Sequence, residues 1–276
     1  MKAIRVTAQA DGRTTIGPLP LPATQRKGEA SADNYRRQAA GEMPTGSHFG
    51  AQASDALRTI LLSDGVFKGL ASQAGPLLTF VVSGDVTLHA GPSQSVKLEP
   101  GDMFLADAQS TPKITLDVRN DGRLLQIPVA PEWPGADAEI QNPGTILPRQ
   151  GSTPNIKRIV RGTGNDEQAY FVDFPELFPK TRDKWSSPRP ITGFRMLCWE
   201  DGWMDYHPCV VNHMVIVGSG ELETEARGGG VRKEAFRAGA VILAEDRTGE
   251  GHLNHVSGAC HTTRFVLAAD FVWTQE

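Results

Sequence analysis

The chain carries one module twice. Val82-Ser83-Gly84-Asp85-Val86 is matched by Gly218-Ser219-Gly220-Glu221-Leu222, and Pro100-Gly101-Asp102-Met103-Phe104-Leu105-Ala106-Asp107 by Ala238-Gly239-Ala240-Val241-Ile242-Leu243-Ala244-Glu245. The blocks recur in the same order at near-equal spacing, as an internal duplication requires. Only the second copy is flanked by a cluster of histidines, with His207, Cys209, His213, His252 and His255 around its blocks. Aligning Gly84 with Gly220 sets Ala71 opposite His207, Gln73 opposite Cys209 and Leu77 opposite His213, and aligning Ala106 with Ala244 sets Ile114 opposite His252. The expectation is one working half and one structural half that supplies an interface or covers the working pocket.

With 276 residues the chain suits two domains of ordinary size, each able to bury its own core. The expected division is an N-terminal domain over 1–132 with an inserted polar loop near 23–50, a Pro/Gly-rich linker over 133–152 and a C-terminal domain over 153–276. A net charge of -4 with interspersed signs argues against a nucleic-acid partner. No apolar run is long enough to span a bilayer, so no membrane partner is expected. The N-terminus lacks the apolar core of a secretory signal. The odd number of cysteines, Cys198, Cys209 and Cys260, argues against a disulfide framework, and a cytoplasmic location is expected.

Short runs rich in Val, Ile, Leu, Phe and Thr are punctuated by 29 glycines and 19 prolines, the pattern of an all-β sandwich or barrel. The clearest predicted strands are Leu77 to Val82, Asp85 to His89, Met103 to Ala106, Ile114 to Val118 and Leu124 to Pro128. Their counterparts are Gly193 to Trp199, Val210 to Val217, Glu221 to Glu225, Ala240 to Ala244 and Thr263 to Ala268. Asn34 to Ala40 reads as a short helix, and Asp55 to Leu62 as either a helix or the start of a strand.

The second half resembles the cupin superfamily. A cupin first motif runs Gly, His-x-His, Glu or Gln, then Gly. Here Gly202 is followed by His207-Pro208-Cys209, His213 and Gly220, with one residue fewer between Gly202 and His207, Cys209 for the second His and His213 for the Glu or Gln. Ala244-Glu245-Asp246-Arg247-Thr248-Gly249-Glu250-Gly251-His252 is similar to a segment of small bacterial single-cupin proteins, whose Arg-Arg-Gln segment is here Val211-Asn212-His213. The resemblance covers residues 157–272 well and 1–130 weakly. It implies an all-β fold of two tandem jelly-roll barrels, and dimers are common in the superfamily, so a homodimer is a possible assembly. It leaves the reaction open, because one fold hosts many chemistries.

On a regular strand His207, Cys209, Val211 and His213 share one face, which in a barrel is the interior. His252 reaches that interior after a Gly-rich turn. Three imidazoles there can hold one divalent transition metal, Zn, Fe, Ni or Mn, with none in the first half. Cys209 is an alternate ligand or a small buried apolar residue, and His255 an alternate if the turn is short. Glu245 is the candidate general base. Asp246 reads as a base or as a turn residue bonding the backbone. Arg195, Trp199 and Trp203 are candidate pocket residues, Arg195 neutralising a carboxylate if it points inward. The expected function is metal-dependent chemistry on a small polar organic substrate: oxygenation, isomerisation or decarboxylation. The alternative is a non-catalytic binder of a small ligand.

Overall fold

The computed structural model describes residues 1–21, 25–26, 54–68, 75–108, 113–134, 155–163, 165–199, 202–268, 271 and 273. The expected insertion apart from Gln25–Arg26, the helix over Asn34 to Ala40, nearly all of the linker, and Ala71 and Gln73 lie outside the described residues. The fold is all-β. The first half contributes β1 (Ala3–Ala8), β2 (Thr14–Pro18), β3 (Gln25–Arg26), β4 (Ala56–Leu62), β5 (Gly65–Lys68), β6 (Leu77–Ala90), β7 (Ser95–Leu98), β8 (Met103–Ala106) and β9 (Ile114–Pro128). The second contributes β10 (Ile156–Arg161), β11 (Ala169–Asp173), β12 (Arg189–Trp199), β13 (Gly202–His207), β14 (His213–Ser219), β15 (Glu221–Ala226), β16 (Arg232–Arg237), β17 (Val241–Ala244), β18 (His252–Val256) and β19 (Cys260–Leu267). A 3₁₀ turn lies at Pro175–Leu177.

The duplication is visible in the hydrogen-bonded pairing. β1 pairs antiparallel with β2 and parallel with β8, as β10 does with β11 and β17. The first part of β6 lies between β8 and the end of β9, as β14 lies between β17 and β19. Its second part lies between β7 and the start of β9, as β15 lies between β16 and β18. β4 and β5 flank β9 as β12 and β13 flank β19 and β18. The predicted pairs Leu77 to Val82 with Asp85 to His89, and Ile114 to Val118 with Leu124 to Pro128, are therefore single bent strands in the first half, divided only in the second. Asp55 to Leu62 resolves as strand β4. Even individual bonds repeat: Val81 N–H donates to Asp102 O at 2.9 Å and Gly101 N–H to Val81 O at 2.8 Å, while Val217 N–H donates to Ala240 O at 3.0 Å and Gly239 N–H to Val217 O at 2.8 Å.

Alternation along each strand sorts residues into interior and exterior. On β15 Leu222, Thr224 and Ala226 are buried while Glu221, Glu223 and Glu225 are less so. Each half has its own apolar interior, one containing Val6, Ile60, Leu88, Phe104, Leu116 and Leu124, the other Ile159, Phe171, Val217, Leu222, Phe236 and Ile242. A third cluster joins the halves, with Leu78, Phe80 and Leu125 from one and Phe194, Ile216 and Phe265 from the other; Phe80 meets Phe265 edge-on at 5.6 Å. Contacts across this junction are reciprocal. A Cβ on Gly101 would meet Gly218 O at 2.3 Å, and one on Gly239 would meet Val82 O at 2.4 Å, and these are the same two positions of the repeat exchanged. β4 and β12 also pair across it, Leu57 with Arg189 and Ala56 with Pro190. No helix among the described residues is long and apolar enough to cross a membrane, which says nothing of strands.

Candidate functional site

The shared register lets each interior position be read in both copies. Leu77 faces Ala106 where His213 faces Ala244, and Ile114 occupies the place of His252. The same matching sets Leu88 and Leu116 against Thr224 and Asn254, Leu124 against Thr262, and Gln126 against Arg264. Apart from Gln126, these positions are thus apolar in the first half and polar in the second. Burying polar groups costs free energy unless they are bonded, and several here are. Thr224 Oγ1 donates to Asn254 Oδ1 at 2.8 Å, and Trp199 Nε1 donates to Thr262 Oγ1 at 2.9 Å.

His207 and His252 stand directly opposite on β13 and β18, with ring centroids 4.7 Å apart. The approach depends on Gly251. Its φ is +78°, and a Cβ there would lie 2.0 Å from His207 O and 2.3 Å from Pro208 N. His252 Nδ1–H donates to Asp246 Oδ2 at 2.7 Å, and Asp246 is fully buried. Cys209 N–H donates to Asp246 O at 3.1 Å. Asp246 Oδ1 has no hydrogen-bond partner among the described residues. His207 Nδ1–H donates to Asp205 O at 2.6 Å. Burial, then the positive charge of a protonated His252, pushes the His207 pKa down to about 4, so this ring is neutral at pH 7. Burial, then Asp246, pushes the Cys209 thiol up from its ordinary value.

His213 sits at the start of β14. Its Nδ1 lies 2.8 Å from Val211 O and 3.0 Å from Arg264 Nη2. Burial, then the Arg264 charge, holds its pKa well below the ordinary value. Arg264 is 7% exposed and lies directly across from Arg195 of β12.

Several expected residues are placed differently. His207, Cys209, Val211 and His213 are not one strand: β13 ends at His207, β14 begins at His213, and a loop joins them. The two histidines reach one interior because each terminates a strand there. Glu245 is bound to Arg158, Nη2 to Oε2 at 2.5 Å. The first half has the same pair at the same register, Arg5 with Asp107 at 3.0 Å, so this carboxylate braces the parallel β10–β17 contact in a position that the histidine-free copy also fills. Trp203 is 62% exposed on the outer face of β13, and His255 faces outward beside it, together lining an open groove with Glu223 and Lys233. Neither points to the histidine cluster. Trp199 is half-buried against the second interior. Asp246, read as either base or turn residue, and Arg264, not singled out from sequence, are both central. Gln126 at the matching position of the repeat is the signal that reveals Arg264.

Each imidazole has Nδ1 next to a backbone carbonyl or a carboxylate, the support that leaves Nε2 as metal donor. The three do not converge: no group of three or more His, Cys, Asp or Glu among the described residues is arranged to hold a metal ion. The Arg264 cation beside His213 also opposes a second positive charge there. The arrangement as it stands does not fit a three-histidine centre. What is assembled is a pair of facing imidazoles backed by a buried carboxylate, with a buried guanidinium near by.

No family model matches the chain, and no curated protein is found similar to it. Among solved structures it is similar to a protein of unknown function from Pseudomonas syringae pv. tomato, at 12% identity and TM-score 0.37, covering 96% of this chain and 100% of that one. It is similar to a cupin 2 conserved barrel domain protein from Leptotrichia buccalis, at 11% identity and TM-score 0.35, covering 89% and 100%. It is also similar to a mutant of Bacillus subtilis oxalate decarboxylase, at 12% identity and TM-score 0.29, covering 84% and 72%. These likenesses are too distant to carry any residue of those proteins over to this chain.

Proposed function

We propose that the chain is a pair of jelly-roll barrels, divided between residues 132 and 153, in which the first is structural and the second is an enzyme for a small polar organic substrate. The observation behind this reading is the polar end of the second interior, where Leu77, Leu88, Ile114, Leu116 and Leu124 of one copy are His213, Thr224, His252, Asn254 and Thr262 of the other. The fold closes with apolar residues at these positions, so the polar set is a departure that stability alone does not call for.

Asp246 fixes His252 in the Nδ1–H tautomer and leaves Nε2 as the basic nitrogen. Asp205 O does the same for His207. A neutral imidazole held this way can accept a proton at Nε2 and return it, and Asp246 stabilises the imidazolium that forms on His252. Proton transfer of this kind serves isomerisation, or protonation of a carbanion after decarboxylation. The test is calorimetric titration of small polar organic compounds into wild type and His252→Gln. Saturable binding that the variant loses is expected. Binding by none of them, or equally by both proteins, overturns the reading.

A second reading starts from the three engaged Nδ1 atoms and requires His213 to leave its present position, from which the three rings do not converge. After an inward shift of His213, the Nε2 atoms of His207, His213 and His252 would hold one Zn, Fe, Ni or Mn ion, which would supply Lewis-acid chemistry. Elemental analysis of tag-free protein with His213→Gln as control tests it. About one equivalent lost in the variant is expected on this reading, and none after reconstitution sinks it.

A further inference from the structure

The second interior contains a cation that lacks an ion pair among the described residues. Arg264 is 7% exposed, and among those residues its Nε has no hydrogen-bond partner and no carboxylate forms an ion pair with it, the buried Asp246 carboxylate being bound to His252 instead. Its Nη2 lies 3.0 Å from His213 Nδ1. That nitrogen is also 2.8 Å from Val211 O, and one ring nitrogen can either donate to the carbonyl or accept from the guanidinium, not both. Directly across the β12–β19 pair stands Arg195, and like charges at opposed positions repel.

The first half solves the same position without charge. Gln126 occupies the place of Arg264 and donates from Nε2 to Thr79 Oγ1 at 3.0 Å, with Thr79 in the place of Val215. Arg58 stands across from Gln126 as Arg195 does from Arg264, so the cation across the pair is common to both copies and the second cation is particular to one. A buried charge left uncompensated is strongly unfavourable. A guanidinium presents a planar fork of donors matched to a carboxylate.

We infer that Arg264 is the anchor for a small carboxylate, which completes its coordination between Arg264 and the His207–His252 pair. This rests on the reading of the second interior as a ligand site, and names the class of ligand. With the carboxylate on Arg264, His213 Nδ1–H is left to Val211 O alone. The burial of the surrounding side chains argues for a compound of a few carbons.

The test is calorimetry in carboxylate-free buffer with formate, acetate, oxalate and malonate, acetamide as the neutral isostere, and sulfate as an inorganic oxyanion. Wild type is compared with the double variant Arg264→Gln/Val215→Thr, which installs the pair that the first half already uses. Saturable carboxylate binding, weakened more than tenfold in the variant, is the expected result. In wild type, ¹⁵N spectra of the histidine rings should show His213 fixed as the Nδ1–H tautomer at saturation. Carboxylates that bind both proteins equally, sulfate in place of carboxylates, or no anion binding at all overturns the inference. Acetamide bound without acetate overturns it while leaving the ligand-site reading intact. Acetate binding lost in the double variant but unchanged in His252→Gln keeps the anchor and removes the catalytic reading.

Discussion

Replacing His252 with the residue that the first half carries at its position, Ile114, isolates the buried Asp246 carboxylate. In His252→Ile the side chain is of suitable size, but Asp246 Oδ2 loses its 2.7 Å donor while Oδ1 already lacks one among the described residues. Breaking such a buried pair costs about 3–5 kcal/mol. The expected loss at pH 7 is therefore about 3–5 kcal/mol. Adding Asp246→Ala copies the matching pair of the first half, Ala108 with Ile114. The double variant should return to within about 1 kcal/mol of wild type or exceed it, because apolar replacement of a buried polar pair is often neutral or stabilising. Urea unfolding of the four proteins of the cycle at pH 7, with m-values checked, measures this directly. A single-variant cost under about 1 kcal/mol, or a double variant as unstable as the single, would refute the reasoning.

Three further outcomes are expected. The folded pKa of His207 lies below its unfolded value of about 6.5, so the unfolded chain binds more protons between the two and stability falls on acidification through that window. From pH 7 to pH 5 this amounts to about 2 kcal/mol in urea unfolding, and His207→Asn should flatten the slope; an unchanged slope counts against the assignment. Glu245→Gln should cost about 1 kcal/mol or less, as Asp107→Asn does in the first half, and leave ligand affinity within twofold; a large affinity loss by calorimetry would return Glu245 to the site. Gly251→Ala puts a Cβ onto the His207 carbonyl at a left-handed φ, and should cost at least about 2 kcal/mol and shift the His207 and His252 ring resonances; a neutral variant would mean that the turn does not set their approach.

Much of the fold was legible in the chain because a repeat reports on itself. The Gly-centred turns at Gly84 and Gly220, and the strands Met103–Ala106 and Val241–Ala244, could be read without coordinates, and the matching of Leu77 to His213 and Ile114 to His252 agrees with the strand register. Val210–Asn212 misled because β-branched residues favour strands locally, whereas here the chain must leave β13 and enter β14 in another sheet. Glu245 misled because its partner, Arg158, is 87 residues away and becomes a neighbour only through a parallel pairing. Trp203 follows strand alternation to the outside, and its offset from His207 is broken by the irregularity between Met204 and His207. Arg264 was hidden by the general tendency of arginine to face solvent.

The most direct test of the account is a titration of histidine-¹⁵N-labelled protein with small carboxylates, other small polar compounds and divalent metals, followed through the ring nitrogens. The account expects at least one carboxylate to move His207, His213 and His252 together and saturably, while His89 of the first half stays fixed. Rings that stay unmoved across the whole panel, or shifts confined to His89 and His261, would contradict the claim that the second interior is the working site.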